Sequence, residues 1–263
     1  MYLATRENMV PGATLRERLE NLKRIGYGGI ELMRSVQELP VHEIQDALRS
    51  SGIRPCIIPA APGRDLVDLD RSKRREALQA TLQRIEIAVA IGAPGLLLAL
   101  YQPPQYPDLS PAFTAHELQR RVFVAQLREL APAAERAGVQ LVLEPLNRYE
   151  TSFLRSLSDG VRLCEEIGSP ALRIMADFFH MQLEEAQVPV SIRQAAAYLV
   201  HVHVADSNRE QPGRGHLDFR PGFRALKEIG YEGPLSLECR LVGDPLQALQ
   251  EAGDYLRRQW EEA

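Results

Sequence analysis

Short apolar runs alternate along the chain with longer stretches whose apolar residues recur every three or four positions. Residues 14–25 (TLRERLENLKRI) put Leu15, Leu19, Leu22 and Ile25 on one helical face, and Gly26 follows as a stop. GGIEL comes next and reads as a short buried strand. The unit recurs. Helices near 42–51, 72–91 and 116–137 end at Gly52, Gly92 and Gly138 and lead into IRPCIIP, GLLLAL and VQLVLE. Helices near 157–167 and 221–229 end at Gly168 and Gly230, ahead of ALRIMAD and GPLSLE. A helix near 190–197 precedes LVHVHVAD, and residues 245–260 form the last helix. With YLATR at the start, the pattern predicts eight strands, each followed by a helix.

Helix, glycine, strand is what repeated parallel crossovers require, because each strand must restart at the same end of the sheet. Eight such units close into a barrel, whereas fewer leave an open sheet. The competing open sheet would carry a Gly-rich phosphate fingerprint after its first strand, and none is present. The expected fold is therefore α/β, a single (β/α)8 TIM barrel over residues 1–263. The Pro-rich stretch 101–115 (YQPPQYPDLSPAFTA) reads as a long ordered loop and a candidate lid.

Composition narrows the function. The net charge of -4 lacks the basic surplus usual for a nucleic-acid binder. Cys56, Cys164 and Cys239 are odd in number and lack CxxC spacing, which argues against a disulfide framework. The opening MYLATRENMVPG does not read as a signal peptide, and no apolar run approaches a membrane span. These features predict a cytoplasmic protein with no nucleic acid and no membrane among its partners. A homo-oligomer is compatible with all of them.

In a barrel the chemistry sits at the C-terminal ends of the strands. LVLE ends in Glu144, RIMAD in Asp177 and LSLE in Glu238, while LVHVHV carries His203 near its end. Four consecutive strands thus aim three carboxylates and one imidazole at one mouth. Without a counter-charge the carboxylates would repel and resist ionisation. A divalent cation resolves the conflict. Three oxygen donors and one nitrogen suit Mn2+, with Mg2+ or Co2+ as alternatives, better than structural zinc. His201, two residues before His203, points the same way one layer deeper and reads as a supporting group. His216 follows a flexible glycine pair and reads equally as a loop anchor or a site-edge residue. Cys56 reads as a small buried filler.

The segments LEPLNRYET, ADFFHM, HVHVADSNREQPGRGHLDF and LSLE resemble those of the xylose-isomerase-like barrel superfamily. They are most similar to its ketose 3-epimerase and hydroxypyruvate isomerase branch. The resemblance is specific over about 140–240 and extends to the earlier chain only as fold rhythm. It implies a divalent-metal-dependent sugar isomerase or epimerase whose partner is a small-molecule, sugar-like substrate: a ketose, a sugar phosphate or a related hydroxy-carbonyl compound. Glu144, Asp177, His203 and Glu238 would hold the metal, and Glu144 and Glu238 would move a proton on opposite faces of the substrate. It further implies that His180, Arg209 and Glu150 contact the substrate.

One position departs from the pattern. Two residues after the second glutamate, the ketose 3-epimerases usually present an aromatic side chain, and this chain has Arg240. The first and last strands are neighbours in a closed barrel, and the first ends near Arg6. Arg6 and Arg240 are therefore expected to recognise an anionic or strongly polar end of the substrate. Two other activities fit the same scaffold: a metal-dependent dehydratase of the inosose or dehydroshikimate type and, more remotely, an apurinic endonuclease. The nuclease needs further histidines on earlier strands, and IRPCIIP and GLLLALY contain none.

Overall fold

The computed structural model describes residues 1–101 and 106–263. Residues 102–105 of the expected Pro-rich loop lie outside the described residues. The chain runs β1 (Tyr2–Arg6), α1 (Leu15–Arg24), β2 (Gly29–Glu31), α2 (Ser35–Glu38), α3 (Val41–Ser51), β3 (Arg54–Pro55), β4 (Ile57–Pro59), α4 (Arg71–Ile91) and β5 (Gly95–Ala99). It continues α5 (Ala115–Ala137), β6 (Gln140–Glu144), α6 (Leu157–Ile167), β7 (Leu172–Asp177), α7 (Phe178–Glu184) and α8 (Val188–Gln194). Then follow β8 (Leu199–Val204), α9 (Arg220–Glu228), β9 (Pro234–Leu237) and α10 (Pro245–Glu261).

All strand pairs are parallel, in the order β3-β2-β1-β9-β8-β7-β6-β5-β4. Because β3 and β4 are consecutive in the chain, the order returns on itself and the sheet forms a nearly closed barrel. The predicted IRPCIIP strand is divided at Cys56. Arg54 and Pro55 pair with β2, and the segment from Ile57 pairs with β5. Pro55 has no N–H to donate, and the amide of Cys56 spans the break by donating to Ile30 at 2.8 Å. The eight predicted strands are thus nine segments.

The helix limits follow the local chemistry. Thr114 with Glu117, and Ser156 with Asp159, form reciprocal capping boxes at the starts of α5 and α6. The predicted glycine stops at Gly52 and Gly138 are left-handed, with φ of 73° and 67°. A Cβ at either position would meet open space, so backbone conformation rather than packing selects glycine there. Two helices, α2 and α7, are absent from the predicted pattern, and the helix predicted near 190–197 starts and ends a few residues earlier as α8.

Apolar residues form two layers. The larger lies between helices and sheet, where Leu19, Leu22, Leu127, Phe219 and Phe223 are fully buried. The smaller fills the barrel interior with Ile57, Leu97, Val142 and Met175. Val142 and Met175 stand two residues before Glu144 and Asp177, so strand alternation sets an apolar floor beneath the polar mouth. No helix among the described residues is long and apolar enough to cross a membrane.

Candidate active site at the strand C-termini

Glu144 ends β6, Asp177 ends β7, His203 lies in β8 and Glu238 follows β9. Register places Asp177 beside His203, and His203 beside Ser236 of β9. The imidazole Nδ1 of His203 lies 2.7 Å from Glu238 Oε2, 3.3 Å from Glu144 Oε1 and 3.9 Å from Asp177 Oδ2. All four residues are buried. Both carboxylate oxygens of Glu144, Asp177 Oδ2, Glu238 Oε2 and His203 Nδ1 are buried without a well-formed hydrogen bond. Unpaired polar atoms of this kind are costly and rare in folded proteins. Here they converge, with one donor atom from each of the four residues within 4.8 Å of the others. This donor set fits a divalent cation held by three carboxylates and one imidazole.

The protein groups alone already separate the two glutamates. Burial and the nearby charge of Glu238 push the Glu144 carboxyl above its usual range. Burial works in the same direction on Glu238. The charge of His203, then those of Arg6 and Arg209, outweigh it and hold the Glu238 carboxyl below its usual range.

Asp177 divides its oxygens between two tasks. Oδ1 accepts from the backbone amides of Phe179 at 2.7 Å and His180 at 3.4 Å, which caps α7, and Oδ2 faces the cluster. This cap accounts for the unpredicted helix, because the chain turns directly from β7 into α7 with no glycine between. It also delivers His180, three residues on, to the mouth. Asn147 holds the His180 ring: its backbone amide lies 3.2 Å and its side-chain nitrogen 2.7 Å from Nδ1. Glu150 accepts from the same Asn147 side chain at 2.9 Å.

Arg209 approaches from the far side. Its guanidinium lies 3.2 Å from His180 Nε2, 3.4 Å from Glu238 Oε1 and 3.7 Å from Glu150 Oε1, over the Phe179 ring. Its φ of 60° makes it the one non-glycine residue with positive φ among the described residues. Asp206 restrains that strained turn, its carbonyl accepting from Arg209 and its carboxylate from the amides of Ser207, Gly213 and Leu217. The structure thus brings Glu144, Glu150, Asp177, His180, His203, Arg209 and Glu238 around one mouth.

Beneath them lies a residue outside the predicted site. Glu31, at the end of β2, is fully buried, and its Oε1 lies 2.8 Å from Nε2 of both His201 and His203. Its Oε2 accepts from Arg6 Nε at 3.3 Å. Burial opposes the Glu31 charge, but His203 and His201 hold its carboxyl well below the usual range. Donation from Nε2 to Glu31 leaves His203 Nδ1 as the atom turned to the cluster. The signal that marks the last four strands, an acid at the strand end, is also present in GGIEL. His201 sits one layer below His203, as alternation requires, and His216 is exposed.

Arg6 and Arg240 part company. Arg6 is 14% exposed and forms ion pairs with Glu31 and Glu238. Arg240 is 72% exposed, and its guanidinium donates to Glu210 at 2.6 Å. They share no partner. The Arg240 backbone is what reaches the mouth, its amide donating to the carbonyl of Arg209 at 2.7 Å. Arg240→Phe keeps that amide. It is expected to leave the ratio of kcat/KM for anionic and neutral substrates within about twofold of the parent, as for an ordinary surface change. A tenfold fall in that ratio would restore Arg240 to the substrate contacts.

A parallel barrel with buried acids and imidazoles at its strand C-termini has the architecture on which TIM-barrel enzymes place their active sites. The chain belongs to the xylose isomerase-like TIM barrel family, whose model matches residues 19–259. A 3-dehydro-D-guloside 4-epimerase of Escherichia coli (strain K12) is 28% identical over 98% of this chain and 99% of its own length. A D-psicose 3-epimerase of Ruminiclostridium cellulolyticum is 37% identical over a shorter span, 44% of this chain and 39% of that one. Among solved structures, an Escherichia coli 3-keto-D-glucoside 4-epimerase superposes with a TM-score of 0.89 at 27% identity, covering 98% of this chain and 99% of that one. These relatives are sugar epimerases, and they support an isomerase-type enzyme.

Proposed function

We propose that the protein is a divalent-metal-dependent epimerase or isomerase that moves the proton on a carbon next to a carbonyl of a sugar. The observation that carries this reading is the convergence of buried, unpaired donor atoms from Glu144, Asp177, His203 and Glu238. The donor set favours Mn2+, with Mg2+ and Co2+ as alternatives. A cation held there would act as a Lewis acid toward negative charge developing on substrate oxygens.

The remaining chemistry belongs to the side chains. Removing a proton beside a carbonyl leaves an enediolate, whose oxygen gathers negative charge. His180 and Arg209, already in contact at the mouth, donate hydrogen bonds to that oxygen and its neighbour. Glu144 and Glu238 come from the outer two of the four strands that form the cluster and flank a substrate lying between them. One glutamate removes the proton from one face, and the other returns a proton to the opposite face, inverting the carbon. Return to the neighbouring carbon instead interconverts aldose and ketose. Glu150 accepts from a substrate hydroxyl, and Arg6 holds Glu238 in place. The full-length relative's name supports the reading: a 4-epimerase of a 3-dehydro sugar inverts a carbon adjacent to an oxidised one.

The test is turnover of a panel of keto sugars and their glycosides in deuterated water with the metal-reconstituted protein. Inverted or isomerised product carrying deuterium at the carbon next to the carbonyl is expected. A conjugated, ultraviolet-absorbing product would identify a dehydratase. Turnover without exchange, with hydrogen passing directly between adjacent carbons, would replace proton transfer with a hydride shift.

A further inference from the structure

Beside the acid–imidazole cluster lies a cavity of about 690 Å³, walled by the ends of β1, β4 and β5 and the loop that follows β4. A hexose displaces roughly six waters, about 180 Å³ at ~30 Å³ each. The cavity therefore has room for a second group of at least equal size. Glu144, Asp177, His180, His203, Arg209 and Glu238 do not line it. Of the residues placed at the mouth, Arg6 is the one that reaches both, since it pairs with Glu238 and lines the cavity. Alanine 99, another lining residue, is in register with Glu144 on the neighbouring strand, so cavity and cluster adjoin.

We infer that the cavity is a subsite for an uncharged group joined to the reacting sugar, and that the substrate is a keto-glycoside larger than a free monosaccharide. This rests on the sugar-epimerase reading above and specifies its substrate. The cavity chemistry selects the group. Met33, Pro59 and Leu98 supply apolar wall, against which the C–H face of a sugar ring or the carbon frame of an alcohol packs. The lining also includes Arg64 and Lys73 together with Asp65, Asp68 and Glu76, and Lys73 lies 3.8 Å from Asp68. Among the described lining residues, Arg6 included, three cations stand against three carboxylates, which gives a phosphate or a carboxylate no surplus of positive charge to bind. Mixed donors and acceptors above an apolar wall suit hydroxyl groups.

The wall is a built element. Ala60 donates to Leu97 at 3.1 Å, Val67 donates to its own loop at Asp65 Oδ1 at 2.8 Å, and Leu66 and Val67 are buried. Ala61 lines the same wall with a methyl group, which leaves the space open and makes it a place to close it.

The metal-reconstituted enzyme is assayed with a free keto-hexose, its methyl glycoside and a keto-disaccharide. The parent is expected to favour the disaccharide over the free sugar by about tenfold or more in kcat/KM, mostly through KM. Ala61→Trp is expected to abolish that preference while leaving the free sugar within about twofold. Met33→Trp narrows the cavity from the segment after β2 rather than the loop after β4 and is expected to act alike, which guards against a folding defect in either variant. Equal kcat/KM for free sugar and disaccharide in the parent, or equal loss on both substrates in both variants, would overturn the subsite. If no sugar turns over, the epimerase reading fails by itself, and calorimetric binding of an unoxidised disaccharide against its monosaccharide then decides the subsite. Tighter disaccharide binding that both tryptophan variants remove supports it, and equal binding overturns it.

Discussion

Glu144→Gln and Glu238→Gln are each expected to lower kcat by two to four orders of magnitude, the range that general acid–base catalysis contributes. The amide keeps the shape of the carboxylate but can neither accept nor hold the travelling proton. Each glutamate also offers a donor atom to the cluster, so the assays are run at saturating metal, which separates weakened metal binding from lost proton transfer. A second measurement distinguishes the two roles. In deuterated water, a variant that has lost only the returning acid should still wash deuterium into recovered substrate. A variant that has lost the base should not. Substrate presented from the epimeric side should reverse which variant washes in. Turnover within tenfold of the parent for both variants, at saturating metal, would remove these residues from the chemistry. Glu238→Gln has an added consequence, because Arg6 and Arg209 both pair with that carboxylate and lose a charged partner.

Glu31→Gln should raise the metal dissociation constant by about 10–100-fold, the usual cost of losing a group that orients a metal-binding histidine. Three donors converge on this carboxylate: Arg6 Nε, His201 Nε2 and His203 Nε2. A carboxylate accepts all three, whereas a glutamine presents one oxygen and one NH2, so at least one donor must face another donor. The amide also lacks the negative charge to which both imidazoles donate, so the bond that fixes the orientation of His203 and leaves Nδ1 toward the cluster is weakened even where the glutamine oxygen takes the Oε1 position. Calorimetric titration of the metal-free variant with Mn2+ measures the effect. The diagnostic pattern is a raised dissociation constant with kcat at saturating metal much less affected. Unchanged affinity would reduce Glu31 to a packing residue.

Much of this molecule is legible in its residues taken in order. Leu15, Leu19 and Leu22 recur at helical spacing before Gly26, and the same rhythm marks the other main helices because local periodicity and backbone preference act over a few residues. Strand alternation also places His201 below His203. The break at Cys56 is less visible, since Pro55 alone does not reveal which neighbour each half of the strand will pair with. Helix α7 is hidden for another reason: its cap, Asp177, has the same chemistry as a cluster residue and serves as both.

The barrel rhythm and the set of acids and imidazoles at the strand ends can be read from residue order, because both follow from periodicities of two and 3.6 residues. Which of those groups meet depends on how the barrel closes. Glu31 reaches His203 across 172 positions of chain. Arg6 turns inward to Glu31 and Glu238, while Arg240 turns outward to Glu210, although both stand near the ends of adjacent segments. Those choices depend on barrel closure and burial, which force a buried charge to find a partner and leave an exposed one in solvent, and neither condition is written in local spacing.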